Sequence, residues 1–120
     1  MKRLKRRSDF VRLTHKGSYR VKPAFSMQYL PNELDTVRVG FTASKKLSKR
    51  AVDRNRAKRR LRAAADAWLR LHPHVQPPGG MDVCFIARQQ VLEVCWDDLL
   101  QDVRKTLYHA GFRWDLPHAD

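Results

Sequence analysis

Lys and Arg are concentrated in one stretch of the sequence, residues 44–62 (SKKLSKRAVDRNRAKRRLR). Ten of its side chains are basic and one, Asp53, is acidic. Such side chains suit the phosphates of a nucleic acid, which Lys and Arg neutralise and which free N–H groups at a helix start also bind. Because like charges at helical spacing repel one another, the stretch predicts a polyanionic partner that supplies the missing negative charge.

The charge of the whole chain indicates the same kind of partner. The 120 residues carry a formal net charge of +13, and the isoelectric point is near 10.6. Residues 1–70 hold 21 basic and 5 acidic side chains, whereas residues 71–120 hold 4 and 7. Clustered basic residues are the electrostatic footprint of nucleic-acid binding. We therefore interpret the first part of the chain as the binding surface and the rest as scaffold.

The sequence gives little support for a catalytic site formed by the protein itself. Asp97, Asp98 and Asp102, with Glu93 before them, are the side chains that a metal-dependent nuclease would use. Adjacent residues diverge on a helix, however, and acids at a helix start are explained by the helix dipole alone. The five histidines are scattered, and none has zinc spacing with either cysteine. We predict no catalytic residue and no metal bound by the protein alone.

The elements that position the basic stretch follow from hydrophobic periodicity. In chain order, the prediction is a helix over residues 9–16 capped by Ser8 and ended by Gly17, a short strand over 19–21, strands over 25–30 and 37–44, a helix over 49–71, a strand over 81–88 and a helix over 95–110. The strand over 81–88 is apolar on both faces and is therefore predicted to be central. This order is typical of an α+β fold, a two-layer α/β sandwich.

The basic helix is predicted to be amphipathic, with an apolar stripe on the core and a charged outer face. The stripe consists of Ala57, Leu61, Ala64, Ala65 and Trp68, and the outer face of Asn55, Arg56, Arg59, Arg60, Arg62 and Arg70. Arg54 projects near the apolar line, but it lies in the first turn, from which it can reach past the helix end. Gly40, in the preceding strand, is predicted to leave room for a close approach.

We expect a single RNA-binding domain over residues 1–120, with a basic arm over 1–7 that is mobile on its own and a short tail over 112–120. Cys84 lies in an apolar strand and Cys95 at the start of a helix. Both are expected to be buried thiols, with a disulfide left open. The sequence has neither an apolar run long enough to span a membrane nor the apolar part of a secretory signal, so we expect a cytoplasmic protein without a membrane partner.

Five segments resemble the protein subunit of bacterial ribonuclease P. These are RVGFTASKK, LSKRAV and DRNRAKRRLR in the centre, SDFVRLTHKG near the start and FIARQQ after the Gly pair. The resemblance covers roughly residues 1–110, and the Arg54-Asn55-Arg56 context is specific to that family. It implies the same sandwich, of the ribosomal protein S5 domain 2-like kind. It also implies a left-handed strand–helix–strand crossover, against the usual right-handed rule.

The resemblance also implies a function. A partner RNA, ribonuclease P RNA, would be the catalyst, with Mg²⁺ held mainly by that RNA, and the reaction would be endonucleolytic removal of the 5′ leader from precursor tRNA. The residues that would bind the catalytic RNA are Lys45, Lys46, Lys49, Arg50, Arg54, Asn55, Arg56, Lys58, Arg59 and Arg62. No DNA partner is expected.

Three residues are implied to bind the leader: Phe10, Gln28 and Arg88. In the family, an aromatic residue at the place of Phe10 borders a cleft on the sheet that takes the single-stranded leader. This sequence departs from the family pattern at two positions. Thr14 stands where many members have a second aromatic residue, and Gln28 stands where Tyr is common. We therefore predict weaker stacking on the leader, with hydrogen bonding by Gln28 in its place.

Three other functions stay open on the residues alone. A generic basic RNA-binding protein, of the ribosomal or RNA-chaperone type, would bind many RNAs without a gain in tRNA processing. A DNA-binding regulator would place the basic helix in a major groove and would prefer duplex DNA. A self-sufficient nuclease would cleave RNA by itself and would lose that activity with the Asp97, Asp98 and Asp102 cluster.

Overall fold

The structure, a computed structural model, describes residues 2–114. Its strands and helices are, in chain order, β1 (Lys2–Arg3), α1 (Arg7–Lys16), β2 (Ser18–Val21), β3 (Phe25–Pro31), β4 (Val37–Thr42), α2 (Ala51–Leu69), β5 (His74–Val75), β6 (Met81–Ala87), a 3-10 turn (Gln89–Leu92), α3 (Trp96–His109) and β7 (Arg113–Trp114). The predicted helices and main strands are confirmed, with ends that differ by one or two residues. The predicted mixed α+β class is confirmed as well.

Five strands form one sheet in the order β1-β4-β6-β3-β2. The central position of β6 is confirmed. It runs parallel to β4 on one side, with Val39 opposite Val83, and antiparallel to β3 on the other, with Met27 opposite Phe85. The helix α2 connects β4 to β6, so these elements form a parallel strand–helix–strand unit. Strands β5 and β7 form a separate antiparallel pair.

The larger core lies between one face of the sheet and the helices α2 and α3. The five residues of α2 that the sequence predicts to face inward, Ala57, Leu61, Ala64, Ala65 and Trp68, are all buried. Phe25 and Phe85 meet them from β3 and β6, with ring centroids 5.7 Å apart. The indole Nε1 of Trp68 donates to the Leu100 carbonyl at 2.9 Å and so joins the two helices. Edge-to-face ring pairs and satisfied buried donors of this kind fix one arrangement of a core.

Within residues 2–114, α1 is the helix that packs on the other face of the sheet. The buried residues there are Leu4, Leu13 and Cys84, with Phe10, Leu30 and Ile86 packed partly buried around them. Gly40 lies directly under the ring of Phe10, because a Cβ at this position would stand 2.8 Å from Cε1 of that ring. The predicted close approach at Gly40 is confirmed, and α1 is the element that makes it.

A polar network also holds α1 on the sheet. The guanidinium of Arg38 donates to the buried Asp82 carboxylate at 2.6 and 2.7 Å and to Asp9 of α1 at 3.4 Å. Asn32 donates a further hydrogen bond to Asp82 at 2.8 Å. The hydrogen bond to Asp82 raises the pKa of Arg38 above its ordinary value. These hydrogen bonds place a charge-assisted clamp between helix and sheet.

Two predictions for the start of the chain are wrong. The arm that was predicted to be mobile on its own is held on the sheet, because Lys2 and Arg3 pair with β4 and Leu4 is buried. Helix α1 begins at Arg7, so Ser8 lies inside the helix, and the cap residue Arg6 makes no side-chain capping bond. The free edge of β4 accounts for the first difference, since its unpaired backbone groups gain hydrogen bonds from β1.

The last described residues, at the start of the predicted short tail, pack on the core. Phe112 is fully buried, and the Trp114 indole donates to the Trp68 carbonyl at 3.0 Å. Residues 115–120 of the predicted tail lie outside the described residues.

Trp96, whose spacing fits the apolar face of α3, is 40% exposed. No helix within residues 2–114 combines the length and the apolar character needed to cross a membrane.

Candidate nucleic-acid interface

The loop that leads into α2 is held against the first turn of the helix. Leu47 is buried and anchors the loop in the core. The Ser48 hydroxyl donates to the Asp53 carboxylate at 2.9 Å and accepts the Arg50 N–H at 3.1 Å. Asp53, the one acid of the basic stretch, is therefore hydrogen-bonded to the loop. Lys45, Lys46 and Lys49 lie exposed around this anchored segment.

Arg54 reaches back past the helix end, as its position in the first turn predicts. Its guanidinium donates to the Ser48 carbonyl at 2.9 Å. One of the five N–H donors of an Arg side chain is enough for this bond, so the others remain for a ligand. Arg50, the N-cap of α2, makes no side-chain capping bond. The helix start therefore presents backbone N–H groups and cationic side chains together, which is the arrangement that binds anions.

The ten residues predicted to bind the catalytic RNA lie on one continuous surface of the loop and α2. The exposed ones are Lys45, Lys46, Lys49, Arg50, Asn55, Arg56 and Arg59, and the partly buried ones are Arg54, Lys58 and Arg62. Among the described residues, hydrogen bonds to protein groups occupy the side chain of Arg54 but none of the exposed seven. The surface is therefore positive and available to phosphates.

Arg60 does not belong to this surface, although the helical wheel predicts it there. Its guanidinium donates to the carbonyls of Val91 and Val94 at 2.6 and 2.8 Å. The prediction of an outward Arg60 is wrong because a long side chain on the flank of a helix can reach a neighbouring turn. Arg60 closes the 3-10 turn against α2 and has a structural role.

The second predicted surface lies on the opposite face of the sheet, beside α1. Gly40, Cys84 and Gln28 form one row across β4, β6 and β3. Residues paired across neighbouring strands point to the same face, with strands about 4.8 Å apart. Gln28 therefore lies about 10 Å from the glycine that supports Phe10. The side chains of Phe10 and Gln28 are both half-buried on this face, where the resemblance implies a cleft for the leader between α1 and the sheet.

The face that carries the predicted cleft continues onto β2, which sequence reasoning left out of the site. Tyr19 pairs with Gln28 and Val21 with Ser26, so both side chains of β2 lie on the cleft face. They are 66% and 54% exposed. Alternation along the predicted short strand was the signal that could have found them. Tyr19 supplies an aromatic surface next to Gln28, where stacking on an unpaired base is possible.

Arg88 lies where the cleft and the basic loop approach one another. Strands β4 and β6 are parallel, so both end at the same edge of the sheet, with Thr42 opposite Ile86. The basic loop follows β4 at this edge, and Arg88 follows β6. The Arg88 guanidinium donates to the Lys22 carbonyl at 3.4 Å, next to the end of β2. One edge of the sheet thus joins the two predicted surfaces.

The acids considered for a nuclease do not form a metal site in the part of the chain that is described. Asp97 and Asp98 are exposed in the first turn of α3, and Asp102 is half-buried one turn later. Residues 2–114 contain no group of three or more His, Cys, Asp or Glu side chains placed to hold a metal ion. The arrangement supports phosphate binding by cations, and hydrolysis by these carboxylates has no geometric support.

Comparison with known proteins gives one family. The Ribonuclease P family profile matches residues 1–111. The ribonuclease P protein component of Gluconacetobacter diazotrophicus is 36% identical over 112 residues, which is 92% of this chain and 92% of the relative. That of Paramagnetospirillum magneticum is 37% identical over 114 residues, covering 91% and 82%.

Solved structures agree with these relatives. The Staphylococcus aureus RNase P protein matches with a TM-score of 0.72 and 28% identity, over 92% of this chain and 96% of the other. The RNase P protein from Thermotoga maritima matches with a TM-score of 0.73, over 91% and 97%, and its 22% identity supports the fold alone.

Proposed function

Because the chain belongs to the family of ribonuclease P protein components, RNA-binding parts of an endoribonuclease holoenzyme that processes tRNA, we propose that it docks on ribonuclease P RNA and holds the 5′ leader of precursor tRNA. The partner RNA carries out the endonucleolytic removal of the leader. The protein brings together two polyanions whose phosphates otherwise repel one another.

One observation supports this proposal: the parallel strands β4 and β6 end at the same edge, from which the basic loop leads into α2 and Arg88 reaches toward the face that carries Gln28. An RNA bound along α2 and a single strand lying in the cleft meet at this edge. Lys and Arg on the α2 side neutralise phosphates, and each neutralised phosphate releases counterions. On the cleft side, Phe10, Gln28 and Tyr19 offer stacking and hydrogen bonds to unpaired bases.

We propose that the Mg²⁺ ions of the holoenzyme are held by RNA. The carboxylates of this chain do not fit such a role, since none of the described ones belongs to a group of three potential ligands. The contribution of the protein is to bind and orient. A mature tRNA lacks the leader, so the cleft favours precursor over product.

The experiment is cleavage of a precursor tRNA at low Mg²⁺ by a bacterial ribonuclease P RNA, with the protein, without it, and by the protein alone. Low Mg²⁺ leaves the repulsion between the two RNAs unscreened, so the RNA alone should cleave poorly. Adding the protein to the RNA should restore cleavage, and the protein alone should not cleave. Tight, salt-sensitive RNA binding without any rescue would support the generic RNA-binding protein instead.

The docking surface has a matched test. Arg54→Ala with Arg56→Ala should weaken binding to ribonuclease P RNA by about 100-fold at low salt and flatten its salt dependence. Arg12→Ala with Arg20→Ala removes the same charge from exposed positions on α1 and β2 and should change binding little. Equal affinities of the two double variants would exclude the proposed docking surface.

A further inference from the structure

A cavity of about 220 Å³ lies between the edge of the sheet and the flank of α2. Its lining residues are Arg3, Val39, Phe41, Arg62, Asp66 and Arg70. Arg3 reaches it because it pairs with Val39, whose side chain faces α2. The strand that replaces the expected free arm thus supplies one wall of the cavity.

The size of the cavity limits what it can take. Pockets for drug-sized ligands measure roughly 300–1,000 Å³, so this cavity suits a single small group better than a whole nucleotide. Its floor is apolar because Val39 and Phe41 line it, and the Arg62 guanidinium carbon lies 5.5 Å from the centroid of the Phe41 ring. A guanidinium stacked on an aromatic ring keeps its plane fixed and its N–H groups available to donate within that plane.

The charges around the cavity are not balanced within the protein. Three guanidinium groups face one carboxylate, that of Asp66. Arg70 Nε lies 3.8 Å from Asp66 Oδ1, too far for a hydrogen bond. Arg62 Nε and Asp66 Oδ1 are buried and, among the described residues, have no hydrogen-bond partner. The unpaired Asp66 oxygen by itself opposes an anion, but three guanidinium groups against one carboxylate leave the lining with an excess of two positive charges, and the unpaired Arg62 Nε needs an acceptor. The balance of the lining therefore favours an anionic ligand.

We propose that this cavity binds one backbone phosphate of ribonuclease P RNA, with Arg3, Arg62 and Arg70 as its cationic walls. This inference rests on the proposed function and extends the docking surface beyond the residues that the family resemblance implies. Arg62 is the only one of the three that belongs to that set. Arg3 and Arg70 are new.

The position of the cavity makes the catalytic RNA, and not the leader, the RNA that can reach it. On α2, Asn55, Arg59 and Arg62 follow one another at helical spacing, and the next positions of this stripe, Asp66 and Arg70, line the cavity. From Arg54 to Arg70 the helix rises about 24 Å, so an RNA backbone that follows α2 passes over the cavity. The leader cleft lies on the other face of the sheet.

The test compares two double variants that each remove two positive charges. Arg3→Gln with Arg70→Gln should bind ribonuclease P RNA about tenfold more weakly than the wild type at roughly 0.15 M salt, and the slope of log affinity against log salt should fall by about 1. Arg12→Gln with Arg20→Gln is the charge-matched control. The ratio of precursor to mature tRNA affinity in the holoenzyme should stay as in the wild type.

The outcomes distinguish a failure of the proposed function from a failure of the cavity proposal. If the wild type neither binds the RNA nor restores cleavage, the proposed function fails. If the wild type does both and the Arg3 and Arg70 variant behaves like its control, only the cavity proposal is overturned. A changed ratio of precursor to mature affinity would also overturn it, because the cavity would then serve the leader.

A measurement on the unmodified protein tests the site without any variant. Titration with inorganic phosphate, followed by NMR, should give saturable shifts at the backbone amide of Phe41 and at the Arg62 side chain. In the Arg3→Gln, Arg70→Gln variant these shifts should weaken. A wild-type protein that shows no saturable shift at either group would contradict a phosphate site here.

Discussion

The two faces of the sheet are built differently. On the α2 side, two helices and the sheet enclose a continuous core that reaches from Ala24 to Trp114. On the α1 side, one helix of ten residues covers a small cluster around Leu13 and Cys84. The ion pair of Arg38 with Asp82 and Asp9 adds to the hold on α1.

The difference matches the two kinds of RNA contact proposed above. A long structured RNA needs a rigid surface, which the large core beneath α2 provides. A single strand of variable sequence benefits from a cleft wall that can adjust, and a short helix over a small apolar cluster opens at lower free energy than the main core. We therefore expect the α1 face to be the adjustable half of the molecule.

The largest effect should come from matched truncations of the two cores. Leu61 is fully buried under α2 and Leu13 is 1% exposed under α1. Leu61→Ala should cost about 4 kcal/mol of unfolding free energy. Leu13→Ala should cost about 2–3 kcal/mol, because the small cluster can relax into the space that the lost side chain leaves. Urea unfolding measures both. Equal costs would remove the distinction between the faces.

Breaking the clamp on α1 should cost about 3 kcal/mol. Arg38→Ala leaves the Asp82 carboxylate, which is 2% exposed, buried with Asn32 as its remaining partner. Adding Asp82→Asn removes that stranded charge and should recover more than half of the loss in the same urea unfolding experiment. A double variant as unstable as the sum of the two single variants would show that the charge is not the cause.

A smaller effect is expected from a methyl group under Phe10. Gly40→Ala places a Cβ 2.8 Å from the Phe10 ring, which must move. The ring is the end of a side chain on an adjustable helix, so the cost should be about 1–2 kcal/mol. Combining it with Phe10→Leu should relieve the clash, giving a favourable coupling in a double-mutant cycle. Additive single and double costs would mean that the ring does not limit this site.

The smallest perturbation is a thiol reagent. Burial raises the pKa of Cys84 from its ordinary 9.0 to about 12, so at pH 8 only about one native thiol in 10⁴ is ionised. The prediction of a buried thiol is wrong for Cys95, which is exposed and should react at once, while Cys84 should react through opening of α1. The opening free energy from Cys84 labelling should therefore be below the global unfolding free energy.

A thiol on the other face provides the control for this labelling. In Val83→Cys with Cys84→Ala, the thiol lies in the main core and should react only on global unfolding. The raised pKa also has a consequence in alkali: the stability gained from keeping the Cys84 thiol neutral is complete below pH 9 and is lost as the pH rises toward 12. Equal opening energies for the two thiols would contradict an adjustable α1 face.

Periodicity was sufficient for the main core. All five predicted α2 positions are buried because one apolar stripe on a long helix leaves a single way to face the sheet. The central place of β6 followed from its apolar residues on both faces. The leader-binding role of Phe10, Gln28 and Arg88 stays a prediction, and the strand register places Gln28 on the same face of the sheet as Phe10. Tyr19, which shares that face, was missed because a four-residue edge strand has a weak pattern.

The remaining differences come from contacts that no local pattern records. Lys2 and Arg3 form a strand because β4 has a free edge, not because of their own propensity. Arg60 turns inward because carbonyls about 30 positions later in the chain accept its N–H groups. Phe112 folds back after Gly111, whose φ of +105° allows the turn. Each depends on where distant segments meet in space.

The strand order has a consequence for synthesis on the ribosome. β6 occupies the middle of the sheet, between β4 and β3, yet it is made after both and after the whole of α2. Until residue 87 has left the exit tunnel, β4 has no neighbour on that side, and the apolar stripe of α2 has no completed sheet to cover. The basic helix therefore emerges before its own core exists, and folding closes late, with the insertion of one strand.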